Sequence, residues 1–216
     1  MYWLWAWAIW VIVLALVGAC GVFIYLTLNA HVRSLSDDDL GPQHHFDAVS
    51  INTYKPSGGK IPERGKRVAE AAVRWAKWYK CSILHLAGQT IKGNLRTESE
   101  IYARYIREDL KADISIITGQ NLANRSTYTD ICETYKYCIK YGLKNIVVMG
   151  CWPHMPRIIK IWSFFNKGDQ IKVQFVGVEV PLRWYLWEFS MWIAEFFLPA
   201  GSQRRELILD LIGRRA

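Results

Sequence analysis

Short apolar runs alternate with longer amphipathic ones from Phe46 to Val178, and that alternation leaves few folds open. Phe46–Ile51, Ser82–Ala87, Asp113–Thr118, Asn145–Met149 and Ile171–Val178 read as strands. Pro62–Tyr79, Thr97–Leu110, Ser126–Tyr141 and Ile158–Phe165 read as the helices between them. Val68, Ala72, Trp75 and Tyr79 are spaced for one helix face. Thr97 followed by Glu100 is a capping-box pattern, and Gly142 stands where a helix ends. A repeated β-α unit implies an α/β fold, with a mainly parallel sheet covered by helices on both faces. The strands are nearly all apolar, as doubly covered strands must be.

The ends of the chain differ from this middle. Tyr2 to Leu28 contains no ionisable group besides Tyr and Cys side chains. About 20 apolar residues cross a bilayer, so this run is long enough to be one N-terminal transmembrane helix. Trp3, Trp5, Trp7 and Trp10 would lie at the interface. The run lacks a basic n-region and exceeds a signal-peptide core, so a retained single-pass anchor in the cell membrane is expected. Charges flanking the span leave the side of the soluble domain open: Arg33 is followed by Asp37, Asp38 and Asp39. We therefore divide the chain into an anchor (1–30), a polar linker (31–45), an α/β domain (46–180) and aromatic and basic C-terminal helices (181–216). Within the tail, Glu188 and Glu195 interrupt the aromatic run Leu182–Leu198. A helix lying on the membrane or the domain fits better than a second span. Ser202–Ile212 is a last helix candidate.

The formal charge of +8 invites a nucleic-acid reading. The basic residues are scattered along helices, so no nucleic acid is expected, and membrane lipids are the simpler partner. The five cysteines form no zinc spacing, the His44-His45 pair lacks suitably spaced partners, and no metal site is predicted.

Ligands of open α/β sheets bind at the carboxyl ends of the strands. Four polar, glycine-containing loops would meet there: one with Ser57-Gly58-Gly59, one with Gly88-Gln89-Thr90, one with Asn124, Arg125 and Thr127, and the segment Gly150 to Arg157. The dinucleotide, P-loop and nucleophile-elbow motifs are all absent. What remains is Glu98, Thr127, Asp130, His154 and Arg157. Arg157 can fork onto a phosphate or carboxylate. His154 can donate to the same anion or act as a general acid or base. Alternatively, Pro153 and Pro156 only start a helix that His154 caps. Glu98 can orient His154, bind a ribose-type diol, or only complement a helix dipole.

His154-Met155-Pro156-Arg157, the acidic helix start at Glu98, Thr127, the glycines Gly58, Gly59 and Gly88, and a first-helix arginine at Arg67 or Arg64 together resemble the YdcF/SanA/ElyC-like family. That bacterial domain of unknown function has a Rossmann-like three-layer α/β/α fold. The resemblance covers about two-thirds of the chain, from Phe46 to Val180, and is most specific in the His-Met-x-Arg element. It implies catalytic roles for His154 and Glu98. It also implies ligand-binding roles for Arg157, Thr127, Asp130, Gly88, Gly58, Gly59 and Arg67. Asn124, Asp130 and Gly150 depart from the family's usual Ser, Asn and Ser. Membrane-anchored members are associated with envelope maintenance and carrier-lipid handling, so an anionic small-molecule or lipid-linked phosphorylated ligand is implied, with a hydrolase or transferase as the enzyme class. One soluble member is associated with S-adenosylmethionine, which keeps a nucleotide-like sensor open; a scaffold with a vestigial pocket is the third reading. The cofactor is left unknown.

Overall fold

The computed structural model describes residues 2–36, 45–53, 56, 59–88, 96–120, 126–197 and 202. A long helix α1 (Tyr2–Val32) is followed by strand β1 (Ser34–Ser36). Then come β2 (Ala48–Ile51), α2 (Glu63–Tyr79), β3 (Ser82–His85), α3 (Glu98–Arg104) with a π-turn (Tyr105–Asp109), and β4 (Ile116–Thr118). The second half contains α4 (Thr127–Tyr141), β5 (Asn145–Cys151), a 3₁₀ turn (Trp152–His154), α5 (Met155–Phe165), β6 (Lys172–Val178) and α6 (Arg183–Phe197). The fold is α/β, as predicted. One sheet has the order β1-β6-β5-β2-β3-β4, with every neighbouring pair parallel.

Side chains alternate across this sheet with period two. Val49, Ile51, Ile83, Val147 and Met149 face α2 and α3, where they pack on Val68, Ala72, Trp75 and Tyr102. Ala48, Leu84, Ile146 and Val148 face α4 and α5, against Ile131, Ile158 and Trp162. Small residues at Ala69, Ala72 and Ala76 bring α2 close to the strands. The expected capping box at Thr97 and Glu100 forms, and so does a second one at Ser126 and Thr129.

Two elements differ from the sequence reading. The stretch 31–45 was expected to be a linker, yet it opens with α1's last turn and an edge strand, β1, on β6. Three residues are too few to show a period. The second helix, expected to run regularly to Leu110, widens into a π-turn from Tyr105. The last helix candidate lies outside the described residues apart from Ser202.

Helix α1 has two parts. Phe23, Thr27 and Ala30 form a buried stripe against the domain. From Trp3 to Val22 the large apolar side chains are mostly exposed. At ~1.5 Å per residue those 20 positions span about 30 Å, the thickness of a bilayer's hydrocarbon core. Helix α1 is thus long and apolar enough to cross a membrane. Helix α6 is shorter, and it lies on the domain, with Glu188 buried beneath it.

Candidate functional site

The strand order reverses at β2. The chain runs outward through β3 and β4, then α4 returns it to β5 on β2's other side. The switch point is therefore between the carboxyl ends of β2 and β5, where such sheets bind ligands. Asn52 leaves β2 there, held to β5 by its N–H donating to Met149 O (2.9 Å). Its side chain is 4% exposed, and its amide nitrogen finds no hydrogen-bond partner among the described residues.

Across from Asn52, β5 turns through Trp152-Pro153-His154 into α5. Pro153 and Pro156 open these helical turns, but the His154 ring does not cap the helix. It is 2% exposed and engaged from both sides. Nε2 lies 3.3 Å from Thr127 Oγ1 at the start of α4. Nδ1 lies 3.1 Å from Glu188 Oε2 of α6 and 2.7 Å from Arg157 Nη2. Arg157 follows by three residues, hence on the same helix face, and its Nη2 also meets Glu188 Oε2 at 3.2 Å. Charge requires this grouping, because a buried carboxylate is costly unless a cation and hydrogen bonds meet it.

The two Nδ1 contacts demand opposite proton positions. With a proton on Nδ1, the ring donates to Glu188 and Nε2 becomes an acceptor, the state of a general base. With Nδ1 bare, it accepts from Arg157, and Nε2–H donates to Thr127 Oγ1.

On the β3 side Glu98 starts α3, but the helix end is capped by Thr97 and Glu100 instead. Glu98 is 7% exposed and accepts a hydrogen bond from Thr53 Oγ1 at 3.2 Å. His85 Nε2 lies 3.2 Å from the same hydroxyl. The hydroxyl has one proton, and a carboxylate can only accept it. His85 Nε2–H must then be the donor in a His85–Thr53–Glu98 relay. Burial pushes His85 down to about 3, so the ring is neutral near pH 7. The Glu98 carboxylate is 4.0 Å from the ring, beyond hydrogen-bond reach.

That shift makes a stability prediction. The folded state refuses a proton that the unfolded chain accepts below pH 6.5, so stability is full above 6.5 and falls as the pH drops toward 3. Between pH 7 and pH 5 this one group removes about 2 kcal/mol. His85→Asn should flatten that part of the profile in denaturant melts in detergent. Parallel profiles for parent and variant would show that His85 gains its proton in the fold.

The remaining predicted positions are dispersed. Asp130 lies on α4's first turn, three residues beyond Thr127, and its carbonyl accepts from Thr134. Gly88 is buried just after β3. Gly59 takes a left-handed φ of 76° in the loop before α2. Gly58, Gln89, Thr90, Asn124 and Arg125 lie outside the described residues. Arg67 is exposed and pairs with Glu63 at 3.6 Å, away from His154's contacts. Arg64 instead covers the Trp184 ring of α6 at 3.6 Å, and its carbonyl accepts from Cys151 Sγ. Burial pushes the Cys151 thiol up to about 12, so it is no thiolate nucleophile at neutral pH. Among the described residues no three His, Cys, Asp or Glu side chains cluster to hold a metal.

Sequence reasoning missed Glu188 and His85. The available signal for Glu188 was a lone carboxylate in an aromatic helix, which needs a buried partner. His85 had none, being one more residue in an apolar strand.

The site lies against the apolar helix. Trp152, two residues before His154, packs on Gly177 of β6 and stacks on His31 of α1 at 3.7 Å. Phe23 meets Phe189 and Trp192 of α6 at 5.3 and 6.3 Å. Helix α6 thus spans from Arg64 of α2 to Phe23 of α1, over the carboxyl edge. Compared with known proteins, the chain matches no family model, no curated protein and no solved structure.

Proposed function

We propose that this is a single-pass, membrane-anchored α/β protein that binds and processes a phosphorylated metabolite at the β2/β5 switch point, in the service of cell-envelope maintenance. On this reading it is a divergent member of the YdcF/SanA/ElyC-like family. The observation that carries the reading is the shared contact of Arg157, His154 and Glu188 at the strand ends. Arg157 supplies a planar fork for phosphate oxygens. Glu188 holds the imidazole and balances the guanidinium. His154, released from Arg157 by the arriving anion, takes or gives a proton at Nε2, assisting attack on or departure from phosphorus. The buried Asn52 amide offers one more donor, whose desolvation costs about 1–3 kcal/mol while unmet.

The test is phosphate-ester binding and release by the full chain in nanodiscs. Arg157→Ala should lose a charge-assisted contact of about 1.5–3 kcal/mol, roughly 10- to 100-fold in affinity. Arg157→Lys should rescue only partly, because an ammonium cannot form the fork. His154→Ala should lower turnover far more than affinity. Alanine variants that melt, bind and turn over like the parent would remove the site from contention.

A further inference from the structure

A surface helix ordinarily turns its polar residues outward and its apolar ones inward. Along residues 182–193 helix α6 does the reverse. The one carboxylate in that stretch, Glu188, is buried on His154 and Arg157. Leu182, in the turn before the helix, and Leu186 and Trp187 are 76%, 67% and 51% exposed. Leu182, Leu186 and Ser190 recur every fourth residue and so share one face, with the exposed Arg183 and Trp187 beside them. The outer face therefore carries a contiguous apolar patch, a hydroxyl and a cation, and no acid. It is also continuous with the apolar surface of α1. Phe189 and Trp192, toward the inner side of α6, meet Phe23, and Phe23 follows directly on the exposed apolar run from Trp3 to Val22.

We infer that α6 is a second membrane contact. Its inner face docks on the domain, and Leu182, Leu186 and Trp187 on its outer face bed in the headgroup layer of the bilayer that α1 crosses. Depth supports this. The headgroup layer adds roughly 5–8 Å on each side of the hydrocarbon, and a helix with its side chains is about 10–12 Å across. A helix touching Phe23, where the hydrocarbon-length run ends, is therefore within reach of that layer. Composition supports it too. Tryptophan is favoured at the interface, Arg183 suits anionic headgroups, and the carboxylate they would repel is turned inward. The carboxyl edge of the sheet, which α6 crosses, then faces the membrane. The inference rests on the anchoring part of the function proposed above and not on what His154 binds.

The experiment places the photocrosslinker p-benzoylphenylalanine at one position at a time in the full chain, held in phosphatidylglycerol nanodiscs. Leu186 and Trp187 report on α6, and Leu14, exposed midway along α1, reports on the anchor. Trp78 is the control, an exposed tryptophan in the last turn of α2, beside the amino end of β3. All four side chains are exposed, so the replacements should melt like the parent. After irradiation, mass spectrometry identifies what each position has captured. Lipid adducts should form at Leu14, Leu186 and Trp187 and not at Trp78. Suppose Leu14 captures lipid while Leu186 and Trp187 capture a second chain, residues 199–216 or nothing, or no more lipid than Trp78 does. That result would overturn the assignment of α6 and leave the anchor standing. A Leu14 position that captures no lipid would remove the anchor, and the second contact with it.

Discussion

Glu188→Ala should destabilise the domain by about 3–5 kcal/mol, the range found when one partner of a buried ion pair is removed. Glu188 is 3% exposed and is the carboxylate that meets both Arg157 Nη2 and His154 Nδ1. Without it a mostly buried guanidinium faces an imidazole with no counter-charge from α6. For a domain of this size 1 kcal/mol moves Tm by about 2–4 °C, so a fall of roughly 6–20 °C is expected in detergent melts. Glu188→Gln keeps the volume and one acceptor, and should lose less stability. On the proposed function it should still impair turnover, because a neutral amide stabilises an imidazolium less than a carboxylate does. A melting temperature unchanged in Glu188→Ala would mean that α6 does not dock by this residue, and the contact group at His154 would need another anchor.

The architecture was readable because its signals are local. Hydrophobic period, the Thr97 capping box and Gly142 each act within a few residues, and all three appear where expected. That His154, Thr127 and Arg157 come together was also readable, since a strand end and a helix start coincide there. Glu188 was not. Its meaning depends on α6 crossing the carboxyl edge, which is decided by Phe189 and Trp192 meeting Phe23 and by Trp184 meeting Arg64. In the linear sequence it only argued against a second membrane span. Arg64 and Arg67 present the same difficulty: both lie near the start of α2, and only the position of Trp184 separates the arginine under α6 from the one paired outward with Glu63. His85 was hidden for the opposite reason. Its neighbours Ile83, Leu84 and Leu86 are all buried, so the run reads as an ordinary core strand.

The second large effect is expected at Gly177. It pairs with Gly150 of β5 and Ser36 of β1, so it lies in the ladder between two strands. A Cβ there would overlap the fused ring atoms of Trp152. The indole cannot give by a few tenths of an ångström, because it is 4% exposed and His31 stacks on it at 3.7 Å. Gly177→Ala should therefore push Trp152 out, and two consequences follow. The turn that ends in His154 must shift, and α1 loses its stacking partner on the domain. Overpacking of this kind costs about 3 kcal/mol at the upper end of its usual range. Trp152→Ala should cost about 3–5 kcal/mol by itself, through lost burial and the cavity left behind. The decisive measurement is the double variant. With the indole gone the added methyl has room, so Gly177→Ala should then cost little, and the cycle should show coupling of 1 kcal/mol or more. Tryptic cleavage after Arg33 should rise in both single variants as α1 lifts from the domain. Additive melting effects, with no change in cleavage at Arg33, would mean that Trp152 does not join the apolar helix to the sheet edge.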